Sequence, residues 1–273
     1  MIYQTAFSSI PLPERQAKPR SLGITMMIDW GLSTVHQKDV AESVGHFIDM
    51  AKLAGSVAGL MPKQTVEEKL VIYRDADIRT SQGGLFAELA YKQGNIELFF
   101  EEIKALGFSS VEISDNLLNW SSEEKSRTIR CAVEEFGLKV LGEVGKKEGV
   151  LNDDEVLEDL EVCFEAGASF VFIEAHELFA GEKIRSELIN AITKNFPLEK
   201  VIYELPVITM PGSSRAYKHK VTSWLVKEFG TEVNLANVEW DELWFTEMIR
   251  RGAGGGTSHP EGAYKLAGFK NEE

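Results

Sequence analysis

The sequence predicts an α/β protein built as a single (β/α)8 barrel. Short apolar runs that end in a polar or charged residue alternate with stretches of helical periodicity, at a spacing of roughly 30 residues. Strands that alternate with helices pair in parallel through right-handed crossovers, and eight such units in 273 residues match the size of a TIM barrel. The predicted strands are Ile24–Asp29, Phe47–Lys52, Ala76–Ser81, Ser110–Asp115, Lys139–Gly145, Ser169–Glu174, Lys200–Glu204 and Glu232–Asn237.

The segments between these runs carry helix signals. Apolar residues recur at three- and four-residue spacing through Ile96–Leu106, and Gly107 follows as a stop signal. Ser121 and Glu124 fit a capping box at the start of the next helix. A doubly wound sheet is the alternative fold, but it requires a Gly-rich phosphate turn after the first strand, and MMIDWGLS lacks G-x-G-x-x-G.

We predict a single domain with two extensions. Residues 1–20 contain three prolines and are expected to form an arm on the body, and residues 21–251 form the barrel. Residues 252–273 form a tail that begins GAGGGTSHPEG, a composition typical of flexible segments. The three consecutive glycines could instead cradle a phosphate, but they follow a helix and not a strand.

Composition limits the classes of partner. The net charge is −14, and such a surface repels nucleic-acid phosphates, so a small anionic substrate must be held by local lysines or arginines. Cys131 and Cys163 lie in apolar helical segments, so we expect no disulfide. The start lacks the order of a signal peptide, and no apolar run approaches the ~18 residues of a membrane span. We expect a cytoplasmic protein without a membrane partner, and a homo-oligomer of undetermined subunit number.

The C-terminal ends of the predicted strands are unusually polar, and in TIM barrels these ends carry the chemistry. Because alternate residues of a strand share a face, Glu143 aligns with Lys147, and on the next strand Glu174 aligns with His176. Carboxylates that point into the barrel would converge. The strand-end residues are Asp29, Lys52, Glu112, Ser114, Asp115, Glu143, Lys146, Lys147, Glu174, His176, Glu204, Asn234 and Asn237.

Buried carboxylates need partners or a metal ion. Oxygen ligands without thiolates favour Mg²⁺ over zinc, and a nearby lysine could donate a proton or bind an anion. A single glutamate at a strand end is more often a helix cap or an ion-pair partner. Three successive strands that end in glutamate favour a functional site.

These motifs together resemble the phosphosulfolactate synthase family. VEISD, EVGKK, VIYELP and VNLANV occur in that family's order and spacing, and GITMMIDWGL, AKLAG, GGLF and RRG extend the match over residues 22–256. The resemblance implies a TIM barrel and a Mg²⁺-dependent lyase-type enzyme. The family adds sulfite to phosphoenolpyruvate, which gives 2-phospho-3-sulfolactate, a step towards coenzyme M in methanogens.

The resemblance also implies roles for the strand-end residues. Sulfite attacks C3 of the enol ester, negative charge develops on the carboxylate beside the metal, and a lysine protonates C2. The predicted catalytic residues are Lys147 as the acid, Lys146 as its alternate, and Glu143. The predicted metal ligands are Asp29, Glu112, Glu143, Glu174 and Glu204. The predicted substrate contacts are Lys52, Gly83, Gly84, Ser114, His176 and Asn237.

The chain departs from the family pattern at three strand ends. KFGWGT becomes KLAGSV, which keeps Lys52, and PGGTLFE becomes SQGGLFA, which places Gly84 and Ala87 at the threonine and glutamate positions. EGRE becomes EAHE, so His176 replaces an arginine whose bidentate contact with an anion imidazole cannot reproduce. Three hypotheses stay open: the synthase itself, a related enzyme with another anionic substrate, and a catalytically silent stress-associated or scaffold homologue.

Overall fold

The protein forms a closed barrel of parallel strands. The computed structural model describes residues 6–10, 12–146, 150–180, 183–209 and 213–253. Within this part of the chain eight strands follow one another around the barrel in sequence order, and the last pairs with the first, which confirms the predicted TIM barrel. The strands are β1 (Thr25–Asp29), β2 (Met50–Leu53), β3 (Arg79–Gln82), β4 (Ser110–Ile113), β5 (Val140–Val144), β6 (Phe170–Glu174), β7 (Val201–Glu204) and β8 (Leu235–Val238).

Helices surround the barrel and connect its strands. No helix among the described residues is both long and apolar enough to cross a membrane. A short hairpin pairs Phe179–Ala180 with Lys183–Ile184 after β6. The helices are α1 (Thr34–Val44), α2 (Lys63–Asp75), α3 (Gly84–Lys92), α4 (Ile96–Leu106), α5 (Ser122–Arg130), α6 (Asp153–Glu165), α7 (Ser186–Asn195), α8 (Arg215–Phe229) and α9 (Leu243–Arg250).

The ends of the elements follow local sequence signals. Ser121 and Glu124 form the predicted capping box of α5, and Gly107 ends α4 in the left-handed conformation. β2, β3 and β8 each start three residues later than predicted. Before β2, Gly45–Phe47 form a 3-10 turn, and before β3, Ala76 caps α2. Apolar residues at the end of a preceding helix or turn therefore have the same sequence pattern as the start of a strand.

Three clusters of buried apolar residues support the barrel, and the smallest consists of Ile28, Ala54 and Val207. The largest core lies between the strands and the helices. The second core fills the barrel interior and forms an apolar floor below the C-terminal ends of the strands. Its buried members are Ile24, Met26, Met50, Leu141, Phe172, Ile202 and Ala236.

Arg250 closes the N-terminal end of the barrel. Its buried guanidinium donates to the carbonyl oxygens of Thr231 (2.8 Å), Val233 (2.6 Å) and Ile24 (3.2 Å), and lies 3.3 Å from Thr25 Oγ1. These contacts join β1 to the segment that precedes β8. The RRG motif thus stabilises the end of the barrel opposite the predicted site.

Residues of the N-terminal segment pack against the same end. Arg15 pairs with Glu247 at 2.5 Å and with Glu232 at 3.3 Å, and Arg20 pairs with Asp49 at 2.9 Å. Both arginine side chains are buried in these pairs. The predicted tail lies outside the described residues from residue 254 onward.

Arg250→Ala should lower the free energy of unfolding by about 3–5 kcal/mol, because it removes a buried cation and leaves carbonyl oxygens without donors. Urea denaturation of the two proteins measures the difference. Arg251→Ala is the matched control: this neighbouring side chain is 25% exposed and pairs with Glu247, so its loss should be below about 1 kcal/mol. Equal losses in the two variants would contradict the closing role of Arg250.

Candidate active site

Charged side chains meet inside the barrel at the C-terminal ends of five strands. They are Lys52 on β2, Glu112 on β4, Glu143 on β5, Glu174 on β6 and Glu204 on β7, and all are buried. Four of them stand two residues beyond a member of the interior apolar core, so strand alternation places them on the same inward face. The charged layer therefore lies directly above the apolar floor.

Three carboxylates form the centre of this layer. One oxygen each from Glu112, Glu143 and Glu204 lies within 4.8 Å of the others. Like charges at this distance repel strongly where water is excluded. The group is therefore stable in its ionised form only if cations lie beside it.

Lys52 provides one such cation. Its Nζ contacts Glu204 Oε1 directly and lies 3.0 Å from Glu112 Oε2. The same ammonium lies 5.1 Å from the ring centroid of Phe172, which belongs to the apolar floor. Lys52 thus bridges β4 and β7 across the barrel, and its charge is directed towards carboxylates.

The charge excess changes the ionisation of Glu112. Burial raises the pKa of Glu112 to about 8; the Lys52 ammonium opposes this rise, and the carboxylates of Glu143 and Glu204 add to it. The Gly84 N–H, which donates to Glu112 Oε1 at 2.8 Å, also lowers this pKa. Glu112 therefore holds a proton near neutral pH unless a further cation joins the site.

Two carboxylate oxygens are placed to receive that cation. Glu204 Oε2 is buried and accepts no hydrogen bond from the described residues, and the same holds for Glu112 Oε2, whose contact with Lys52 is an ion pair. A buried oxygen without a donor is costly, and a cation removes that cost. Carboxylate oxygens are the hard ligands that Mg²⁺ prefers, so the donor set fits Mg²⁺.

Comparison with known proteins assigns the chain to a family. Residues 13–255 match the family model described as (2R)-phospho-3-sulfolactate synthase (ComA). The chain belongs to this family. Phosphosulfolactate synthase of Methanothermobacter thermautotrophicus is 33% identical over 258 residues, which cover 90% of this chain and 95% of that protein. Phosphosulfolactate synthase of Methanocaldococcus jannaschii is 33% identical over 246 residues, 86% of this chain and 93% of that protein.

A plant protein is also similar along most of the chain. Protein HEAT-STRESS-ASSOCIATED 32 of Arabidopsis thaliana is 27% identical over 266 residues, which cover 87% of this chain and 88% of that protein. The matches confirm the family resemblance seen in the sequence motifs. The chain is an enzyme of the phosphosulfolactate synthase type, and it is a divergent member.

One predicted metal ligand of this synthase-type site lies elsewhere. Asp29 Oδ1 accepts hydrogen bonds from the backbone N–H groups of Gly31 and Leu32, each at 2.8 Å. Its Oδ2 accepts from the Tyr73 hydroxyl at 2.6 Å and pairs with Lys69 Nζ at 2.7 Å. Asp29 is thus committed to the turn after β1 and to α2, so its position does not fit the predicted metal role.

Glu174 and His176 lie beside the group of three carboxylates. Glu174 pairs in register with Glu204, and His176 Nδ1 lies 3.8 Å from Glu174 Oε2. His176 Nε2 lies 3.9 Å from Oε1 of the buried Glu177. Where the family motif has arginine, this chain therefore has an imidazole between two carboxylates.

The loop after β5 carries the predicted proton donors. Lys147 lies outside the described residues, and its role stays a prediction. The Lys146 N–H donates to Glu177 Oε1 at 3.1 Å, and its ammonium lies 3.4 Å from Asn119 Oδ1. Gly145 has φ +106°, and a Cβ there would lie 2.7 Å from Glu177 Cγ, so this turn requires glycine.

The two glycines of the GGLF motif allow a close approach of backbones. A Cβ on Gly83 would lie 3.0 Å from the Gly55 nitrogen and from the Leu53 carbonyl oxygen, and a Cβ on Gly84 would lie 2.2 Å from Ser114 Oγ. The approach brings the first turn of α3 against Glu112. Ser114 Oγ itself donates to Glu88 Oε1 at 2.5 Å. These predicted substrate contacts therefore have packing roles that the sequence did not indicate.

Asn237 lies in an irregular part of β8. The pairing of β8 with β1 shifts register between Leu235 and Val238, and Asn237 has φ +60°. Its Nδ2 donates to the Leu205 carbonyl oxygen at 3.3 Å, just beyond β7. A left-handed residue other than glycine is uncommon, and such strain often accompanies a functional site. Asn234, in contrast, hydrogen-bonds Ile24 and lies towards the N-terminal end.

Two residues near the site were missed from the sequence. Asn116 Nδ2 donates to Glu143 Oε1 at 2.7 Å, and Glu88 binds the segment that carries Asn116. Glu88 lies in α3 between the buried Ala87 and Ala90. A carboxylate on an otherwise apolar helix face is the sequence feature that could have identified it. Asn116 lies in a loop, where no periodicity indicates the direction of a side chain.

Gly84→Ala should destabilise the protein by about 1–3 kcal/mol, because the added methyl group collides with Ser114. Adding Ser114→Gly should restore part of the lost stability, since it removes Ser114 Oγ and Cβ, the two atoms nearest to the new methyl group. Thermal or urea denaturation measures both variants. Gly45→Ala serves as control, because its nearest neighbour, Ile78, would lie 3.8 Å from the new methyl group. A Gly84→Ala protein as stable as this control would refute the close approach.

Glu112→Gln should change how stability depends on pH in metal-free protein. The pKa of Glu112 is raised on folding from 4.5 to about 8, so the folded state binds the extra proton, and this contribution to stability is lost as pH rises between those values. Glutamine does not titrate, so the melting temperature of the variant minus that of the wild type should increase from pH 5 to pH 8. Each kcal/mol corresponds to about 2–4 °C. A difference that is constant with pH would mean that Glu112 ionises normally.

Proposed function

We propose that this chain catalyses the Mg²⁺-dependent conjugate addition of sulfite, or of a related nucleophile, to phosphoenolpyruvate or a similar enol acid. The single observation that carries the proposal is the buried group of Glu112, Glu143 and Glu204 with Lys52 at the C-terminal end of the barrel. The similarity to the phosphosulfolactate synthases of Methanothermobacter thermautotrophicus and Methanocaldococcus jannaschii supports the same reaction type.

The three carboxylates are the proposed Mg²⁺ ligands. Mg²⁺ held there would supply positive charge beside the substrate carboxylate, where negative charge develops during the addition. Lys52 lies within reach of the same position, and its ammonium would bind an anionic group of the substrate in exchange for Glu112 or Glu204. The ring of Phe172 below Lys52 excludes water from that side.

The proposed reaction balances with one proton from the protein. The sulfur lone pair of sulfite forms the bond to C3, and the π electrons of C2=C3 move towards C2 and the carboxylate. The Lys147 ammonium then gives its proton to C2, and the phosphate stays on the C2 oxygen. Lys147 follows Glu143 by four residues in the sequence, so the proposed acid comes shortly after a proposed metal ligand.

Two other functions have specific support. The imidazole of His176 in the arginine position favours a related enzyme with a different anionic substrate. The similarity to the Arabidopsis protein, whose name refers to heat stress, keeps a stress-associated homologue as the other alternative. Buried charges are costly to maintain, and their retention in this chain is an argument for catalysis.

The test is a direct assay of the pure full-length protein with phosphoenolpyruvate, sulfite and Mg²⁺, followed by mass spectrometry of the sulfonate. The wild type should form the adduct, and Lys147→Ala should reduce the rate at least about 100-fold, because general acid catalysis contributes about 10²–10⁴. Lys139→Ala is the matched control: this exposed lysine immediately precedes the same strand at its opposite end. It should keep wild-type activity.

The other outcomes separate the alternatives. No adduct, together with Mg²⁺-dependent thermal stabilisation by another anionic acid, supports a different substrate. No response to metal or to anions supports the silent homologue. Equal losses in Lys147→Ala and Lys139→Ala would overturn the role of Lys147.

A further inference from the structure

A second buried carboxylate, outside the group of three, organises the loop after β4. Glu88 on α3 is 1% exposed. Its Oε1 accepts from Ser114 Oγ at 2.5 Å and from the Asn116 N–H at 3.0 Å. Its Oε2 accepts from the N–H groups of Leu117 at 2.6 Å and Leu118 at 2.8 Å. An ionised carboxylate accepts about four hydrogen bonds, so this loop satisfies Glu88 completely.

The other attachments of the loop are made by side chains: Asp115 lies 3.6 Å from Lys125 Nζ, and Asn119 lies 3.4 Å from Lys146 Nζ. The side chain of Leu117 is largely exposed, and residues 114–121 contain no helix or strand. The Trp120 indole donates to the Ser114 carbonyl oxygen at 2.9 Å, and its ring packs against Tyr91 of α3 with the ring centroids 4.3 Å apart. Glu88 is the contact that joins three successive backbone N–H groups of this loop, those of Asn116, Leu117 and Leu118, to α3.

The loop carries one side chain into the candidate active site. Asn116 Nδ2 donates to Glu143 Oε1 at 2.7 Å. An amide donor on one oxygen fixes the rotation of a carboxylate. The backbone of Glu143 is held separately, because Lys125 Nζ donates to its carbonyl oxygen at 2.6 Å and pairs with Asp159. Asn116 therefore contacts the side chain of Glu143, whereas Lys125 holds its backbone.

We infer that Glu88 is a positioning residue that acts through Asn116 on the Glu143 carboxylate. The chemistry requires a carboxylate at Glu88, because glutamine would direct N–H groups towards backbone N–H groups that need an acceptor. The functional part of this inference rests on the proposed function, since Glu143 is there a metal ligand. Outer contacts of metal-binding carboxylates typically change metal affinity about 10–100-fold when they are removed.

A double-mutant cycle tests the inference with the full-length protein. Glu88→Gln, Asn116→Ala and the double variant are compared with the wild type in Mg²⁺ titration calorimetry. Each single variant should raise the dissociation constant about 10-fold, and the double variant should be no weaker than Asn116→Ala, because Glu88 acts only through Asn116. Glu124→Ala is the control: it removes a similar loop contact, the capping box of α5, and should leave the affinity unchanged.

A second measurement reports positioning in the absence of metal. The side-chain amide of Asn116, identified by its absence in Asn116→Ala, gives an NMR signal that should lose its hydrogen-bonded shift in Glu88→Gln. If that variant does not fold, Ser114→Ala removes a single contact of Glu88 and should give a smaller change in the same direction.

These measurements separate the two proposals. If the wild type binds no Mg²⁺, the proposed metal site is wrong, and the Asn116 signal still decides the role of Glu88. Additive losses in the cycle, or an Asn116 signal that Glu88→Gln and Ser114→Ala leave unchanged, would overturn the inference.

Discussion

The excess of buried negative charge at one end of the barrel is the constraint on which the site depends. Glu112, Glu143 and Glu204 approach within 4.8 Å, and Lys52 contributes a single positive charge among them. The barrel wall excludes water, so the repulsion is relieved by protonation, as the raised pKa of Glu112 shows, or by a further cation. The same feature that makes the site costly for folding makes it suitable for a divalent metal.

Contacts between neighbouring β/α units support this group. The first turn of α3, after β3, donates to Glu112 on β4, and the loop after β4 donates to Glu143 on β5. Glu177, after β6, binds the loop after β5 through the Lys146 and Leu151 N–H groups. Each carboxylate or loop is thus held by a neighbour in the barrel order. One or two hydrogen bonds therefore connect each of these segments to a neighbouring strand end or loop.

The fold and the inward carboxylates could be predicted because periodicity along strands is a local property. Once eight strands close, Glu143 and Glu204 must face the same interior as Leu141 and Ile202. β1 gave no such signal, because Met26, Met27 and Ile28 place apolar side chains on both faces before Asp29, and the predicted metal role followed from position alone. The contact between Lys52 and Glu204 spans 152 residues and depends on closure of the barrel. Asn116 depends on loop geometry, which no sequence period encodes.

The packing shows that the departures from the family motif are not equally informative about the substrate. Gly84 is matched by Ser114, whose side chain occupies the space of the missing one, and Ala87 belongs to the outer core while Glu88 beside it provides a buried carboxylate. At Gly84 and Ala87, neighbouring residues therefore fill the space or supply a carboxylate. These two departures carry little information about the substrate. His176 is different, because it faces Glu174 and Glu177 and offers an anion no bidentate donor. Under the proposed function, His176 at the end of β6 is thus the departure that bears most directly on which anionic substrate would be bound.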